Sequence, residues 1–237
     1  MIRICIAFLL LLGAAGAAGA QQPTGAAEIV VTAMKRTGVP EAPVPAIGLR
    51  RVADFAVQAV TITGDTRDPA RRHDEIFAMI KGAIQLAQQR GDIELATGTL
   101  VVEPLTLANY RNLTLKDGDR ADSEEATFLI KTRLAGGADA KAALERIDAF
   151  IKAVPAVGRA ELQHQGELTL SVVAPDQYRV AIIDLVAADA RTTAGKLGPD
   201  YAVEAKGLDR PVEWTRASLT EVFLYLPYSY SVVPKPR

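Results

Sequence analysis

The chain carries few residues with the types and spacing for catalysis. Of 237 residues only two are histidines, His73 and His164, and only one is a cysteine, Cys5. Two imidazoles without thiolates make a poor metal set. His73 lies at the polar start of a helical stretch, and His164 lies among Glu161, Gln163 and Gln165. As general bases they would need a nucleophile. The serines Ser123, Ser171, Ser218, Ser229 and Ser231 include no G-x-S-x-G and no S-x-x-K. A Ser-His-Asp triad is defined by geometry, so one assembled only in space stays open. Gly195-Lys196 lacks the upstream glycine of a phosphate loop. In DGDRADSEE, Ala121 stands where a calcium ligand belongs and Asp122 replaces the turn glycine, so an acidic surface loop is expected. The residues name no catalytic group, cofactor or metal. An envelope hydrolase using His73 or His164 is the alternative reading.

The address of the chain is more legible. MIRICIAFLLLLGAAGAAGA has a charged start, a nine-residue apolar run from Ile4 to Leu12, and an A-x-A site at Ala18–Ala20. These are the marks of a secretion signal, and the run is short of the roughly 20 residues that span a bilayer. Cleavage after Ala20 would remove Cys5 and leave 217 residues held without disulfides. Without Arg3 the basic residues number 26 against 28 acidic ones, a formal charge of −2. Interspersed signs near neutrality argue against nucleic acid or an anionic membrane as main partner. A periplasmic or secreted protein is expected.

Next come GAAEIVVTAMKR and the Pro-rich TGVPEAPVPAIG. The first is similar to the opening of the plug of TonB-dependent receptors. Such a receptor adds a barrel of about 22 strands, more than 217 residues supply. Residues 21–47 are therefore read as a strand, Glu28 to Met34, with a linker. The strand packs on its own domain or on a neighbouring sheet edge.

From residue 48 to 234 the pattern is that of one α+β domain. RRVADFAVQAVTITGD reads as one long strand whose apolar face switches near Ala59, which suggests a bulge there. Asp68, Pro69 and Gly91 bound a helix with Ile76, Ile80, Ala83, Ile84 and Ala87 as its buried stripe. DIELATGTLVVEPL reads as a second strand, followed by a turn at Asp117-Gly118. ATFLIKTRL is a third strand, with Ala126, Phe128, Ile130, Thr132 and Leu134 on one face. DAKAALERIDAFIKAV is a helix with a stripe of Leu144, Ile147, Ile151 and Val154. Lys141–Glu145 and Asp148–Lys152 are its outer pairs. GELTLSVV is the fourth strand. This order suggests a ferredoxin-like, split β-α-β sheet-and-helix core. A third helix, from Asp176 to Lys196 and stopped by Gly198, and three C-terminal strands extend it.

TITGDTRDP, DIELATGTLVVEPL, AADARTTAGKLG, RPVEWTRAS and FLYLPYSYSVVP occur in this order, and together they resemble the SIMPL-domain family. Its bacterial members include periplasmic immunogenic and oxidative-stress defence proteins. The resemblance covers residues 50 to 234 and implies an exported, oligomerising α+β protein with no established reaction. Relatives carry a lysine where Thr193 stands, so no role of that lysine transfers.

The last strand, TEVFLYLPYSYSVV, is apolar on both sides, and tyrosines suit interfaces because each joins a large ring to a polar tip. Phe223, Tyr225, Tyr228 and Tyr230 are the candidate interface. The expectation is a non-catalytic envelope protein that forms a homo-oligomer and binds envelope partners, with a stress-defence role implied by the resemblance.

Overall fold

The computed structural model describes residues 28–31, 44–99, 101–134 and 139–235. The expected secretion signal and most of the Pro-rich linker lie outside them. The first helix, α1 (Pro69–Arg90), begins and ends where its residue types require. The Asp68 carboxylate accepts from the Arg71 N–H at 2.8 Å, and Gly91 closes the last turn in a left-handed conformation. All five residues of its expected stripe are buried, joined by Phe77 and Met79.

Beside this helix the chain builds a closed barrel. Its staves are β1 (Glu28–Val31), β3 (Phe55–Gly64), β4 (Glu94–Thr97), β5 (Val101–Pro104), β7 (Glu124–Arg133) and β8 (Glu161–Val173). They pair in the order β3-β8-β1-β5-β4-β7 and back to β3, always antiparallel. The short β6 (Lys116–Asp117) adds to the start of β7. The expected ferredoxin-like α+β core is therefore corrected: the fold is mostly β, a six-stranded barrel with three helices. Two readings caused the error. DIELATGTLVVEPL is two strands, a hairpin that turns at Gly98. And Glu28–Val31 enters the sheet between β8 and β5, which removes the free edges an open sheet would keep.

RRVADFAVQAVTITGD also divides, into β2 (Leu49–Val52) and β3, which belong to different sheets. The break is pinned at Ala53-Asp54, where Ala53 N–H donates to Thr220 O and the Asp54 carboxylate accepts from Val173 N–H at 2.8 Å. The apolar side of β3 does change, with Phe55 facing the interior and Val60 and Ile62 the outer wall, yet β3 itself carries no extra residue. Its register with β7 is unbroken over ten pairs, from Phe55–Arg133 to Gly64–Glu124. The irregularity lies on β8, where residues 166–168 bulge opposite Gln58. Gln58 is buried on the outer face, and its amide nitrogen reaches the carbonyls of Ala59, Gln165 and Gly166 at 3.0–3.2 Å. The irregularity expected near Ala59 is thus present, between Val57 and Ala59 in the β3–β8 register, with Gln58 serving it.

Two apolar clusters lie against the outer wall. In one, α1 and α2 (Ala140–Ala153) cover Val60, Ile62, Ala126, Phe128 and Ile130. The stripe of α2 is Ala143, Ile147, Phe150 and Val154, rotated from the expected one, so Leu144 is exposed. In the other, α3 (Arg179–Leu197) and a sheet of β10 (Glu213–Arg216), β11 (Glu221–Tyr225) and β2 cover Ala56, Leu134, Leu170 and Val172. A separate ribbon pairs β9 (Tyr201–Lys206) with β12 (Ser229–Pro234).

At Gly98 φ is +112°, and an added Cβ would meet the Val101 carbonyl. Gly98→Ala is expected to cost about 1–3 kcal/mol in urea unfolding. On α3 the site of Gly195 is open, so Gly195→Ala should stabilise by about 0.5–1 kcal/mol.

Candidate functional site

Side chains from five staves meet inside the barrel. Lys131 on β7, 4% exposed, points its ammonium at the Glu28 carboxylate of β1, while Glu94 of β4 lies 3.6 Å away. Ser171 on β8 donates to the other Glu28 oxygen at 2.6 Å. The Phe55 ring of β3 lies 4.1 Å from the ammonium, a cation–π contact. Residues on the outer wall could not converge this way. A cluster of Ala96 and Val102 with Leu129 fills the space beside them. The arrangement binds the staves together: a buried ammonium is tolerated only with a partner, and removing that partner costs about 3–5 kcal/mol.

A second polar region lies at the barrel mouth, where β3 ends and β7 and β8 begin. A cleft of about 610 Å³ is lined there by Asp65, Arg120, Ser123, Glu125, Arg159 and Gln163, among others. Asp65 accepts two bonds from Arg159, at 2.6 and 2.9 Å, and one from Arg120. Arg159, then Arg120, hold its carboxyl below the usual range against partial desolvation. Beneath it, Glu75 of α1 accepts from the Thr66 hydroxyl at 2.5 Å, the Arg159 N–H at 3.1 Å and Arg71 at 2.9 Å. The Thr66 hydroxyl is the largest cause of its lowered pKa. Gly158 is required at this point, since φ is +56° and a Cβ would run into the Glu75 carboxylate. Both carboxylates are held ionised, which suits fixed ion pairing and opposes use as a general acid.

The residues expected to form an interface are divided between two sheets. TEVFLYLPYSYSVV is not one strand, because Pro227 separates β11 from β12. Phe223 and Tyr225 stack at 5.9 Å on β11, where Tyr225 is buried and its hydroxyl lies 3.3 Å from Glu213. Tyr228 and Tyr230 stack at 5.9 Å further on, and the Tyr230 hydroxyl donates to Asp189 of α3 at 2.8 Å. Burial pushes the Tyr228 phenol up. Tyr230 joins ribbon to helix, and of the four residues it alone is exposed.

The histidines stay apart from the serines. The His73 ring lies tilted against Phe77 at 4.8 Å, and His164 lies 3.2 Å from Asp148, which thus faces β8 rather than Lys152. The Ser171 hydroxyl is committed to Glu28, and that of Ser123 to the Arg120 carbonyl. Among the described residues no group of three or more His, Cys, Asp or Glu is placed to hold a metal. No helix there is long and apolar enough to cross a membrane. No protein-family model matches the chain, and no curated protein matches it.

The Glu28–Lys131 pair was missed in the sequence because Lys131 falls on the face of ATFLIKTRL opposite the apolar one, which reads as solvent. Only the closure of the sheet makes that face an interior. Glu28→Ala should lower unfolding stability by about 3 kcal/mol or more, and pairing Glu28→Gln with Lys131→Met should recover most of the loss. Asp65 and Glu75 titrate lower folded than unfolded, so their contribution is complete above about pH 4 and fades as pH falls through the folded values. Asp65→Asn should flatten the acid limb of a Tm-against-pH curve.

Proposed function

We propose that this is an exported, non-catalytic assembly protein of the cell envelope, which associates with copies of itself and binds envelope partners. The observation that carries the reading is where the uncovered apolar surface lies. Seven of the eleven exposed large hydrophobic residues among those described fall between 180 and 232. They are Val180, Leu185, Leu197, Tyr201, Leu219, Tyr230 and Val232, on α3, the β9–β12 ribbon and the loop before β11. Only Ile182 and Val186 of α3 are buried. A helix this rich in apolar residues that buries so few of them leaves surface for another body to cover. The β9–β12 ribbon has two strands and leaves Tyr201, Tyr230 and Val232 exposed.

The ordered motifs that resemble SIMPL-domain proteins support the same reading, and the stress-defence role rests on that resemblance. A hydrolase would start from the His164–Asp148 pair. Replacing both histidines by alanine tests it, since loss of a measurable activity with folding kept would favour the hydrolase over the assembly reading.

Light scattering across a range of concentration should show a discrete oligomer. Val180→Asp together with Leu219→Asp should shift it to monomer mass without changing the circular dichroism spectrum. A wild-type monomer at every concentration would overturn the assembly reading.

A further inference from the structure

The stave β1 is four residues long and comes first of the six in the chain. None of its partners is near it in sequence; they are Leu170–Val173 on one side and Val101–Val102 on the other. Twelve residues, 32 to 43, separate it from Val44, and a chain of that length spans about 40 Å when extended. Pro40 and Pro43 within that stretch have no N–H to place in a ladder. The slot between β5 and β8 therefore selects its occupant by local fit. It takes a short extended segment with a carboxylate at the first position, to meet Lys131 and Ser171. An isoleucine follows, packed against the cluster beneath α3. The segment EIVV of any copy of this chain meets those terms equally.

The slot also cannot stand empty. Without β1, the facing edges of β8 and β5 lose their ladder partners and the Lys131 ammonium loses its principal counter-ion. Exchange of an identical strand between two copies leaves every one of these contacts unchanged, so it is a low-cost route to association. What opposes it in dilute solution is the tether, which holds a copy's own strand at millimolar effective concentration. Association of copies through the apolar surface would offset that advantage by raising the local concentration of neighbouring slots, and Ile29 of this strand already lies against the cluster beneath α3.

We propose that β1 is exchanged between copies, so that in the assembled protein the slot of one barrel holds Glu28–Val31 of a second copy. The proposal rests on the assembly reading above and adds the partner segment and the slot it enters. Ile29 and Val101 stand opposite each other in the β1–β5 ladder. In the full chain with Cys5→Ser, the double substitution Ile29→Cys and Val101→Cys reports where β1 lies. Oxidised with glutathione disulfide, the assembled protein should run above monomer mass on a non-reducing denaturing gel, and return to monomer mass on reduction. Disulfides formed only within single chains would overturn the exchange.

A second test is independent of cysteines. Glu28→Lys and Lys131→Glu each place like charges in their own slot, and in any exchange among their own kind. Mixed, each chain's strand suits the other chain's slot. Mixing should restore the unfolding temperature that each variant loses alone, with the two chains recovered one to one in the restored species. A mixture that stays the sum of its parts would also overturn the exchange. The two proposals fail separately: a wild-type monomer removes the assembly reading, whereas a wild-type oligomer with only intrachain disulfides removes the exchange and leaves assembly standing.

Discussion

Lys131 places an ammonium where water cannot solvate it, beside the Phe55 ring and beneath the first stave. Such a charge is stable only with a carboxylate held close and the remaining polar atoms satisfied. Glu28 supplies the carboxylate, and Ser171 satisfies its second oxygen. Because these residues come from β7, β1 and β8, their meeting ties the N-terminal segment to strands more than a hundred residues away in the chain. Closure of the barrel and neutralisation of the lysine are one event. The hairpin at Gly98 completes the ring on the other side of β1, and the helices then have a curved wall to cover instead of a flat sheet.

The sequence carried the local structure well and the closure poorly. Asp68, Pro69 and Gly91 specify the ends of α1 through short-range hydrogen bonding and backbone preference, and those terms hold in any fold. The apolar face of β7 was legible for a similar reason, since alternation belongs to the strand itself. Three things were not. Gly98 within an apolar run marks a turn only if the two arms pair. Lys131 on the second face of β7 signals an interior only once that face is enclosed. Gln58 looks like a break in β3, and it is instead the donor that satisfies the bulge of β8. Each depends on a contact made far along the chain, and periodicity holds no record of such contacts.

The candidate site divides along the same line. The tyrosines near the C-terminus were visible by composition, yet their partners were not: Tyr225 meets Glu213 in the β10–β11 sheet, and Tyr230 ties the ribbon to α3. The uncovered apolar surface on α3 was invisible in the sequence, because AIIDLVAADA reads as a packed helix whichever side is covered. The acidic carboxylates at the barrel mouth gave no signal at all. Asp65 acquires its character first from Arg159, more than ninety residues beyond it, and Glu75 from the Thr66 hydroxyl and then from the Arg159 N–H.

The barrel wall has a further consequence. Its outer surface bears two apolar clusters, one under α1 and α2 and one under α3, and Leu168 alone among the described residues packs against both. Perturbations at sites that share no packing partners tend to add without interacting. The wall therefore works as a partition, with Leu168 of β8 and Ala143 of α2 as its crossings. A change under α1 is expected to add to a change under α3 without interacting, except where it reaches one of those two residues.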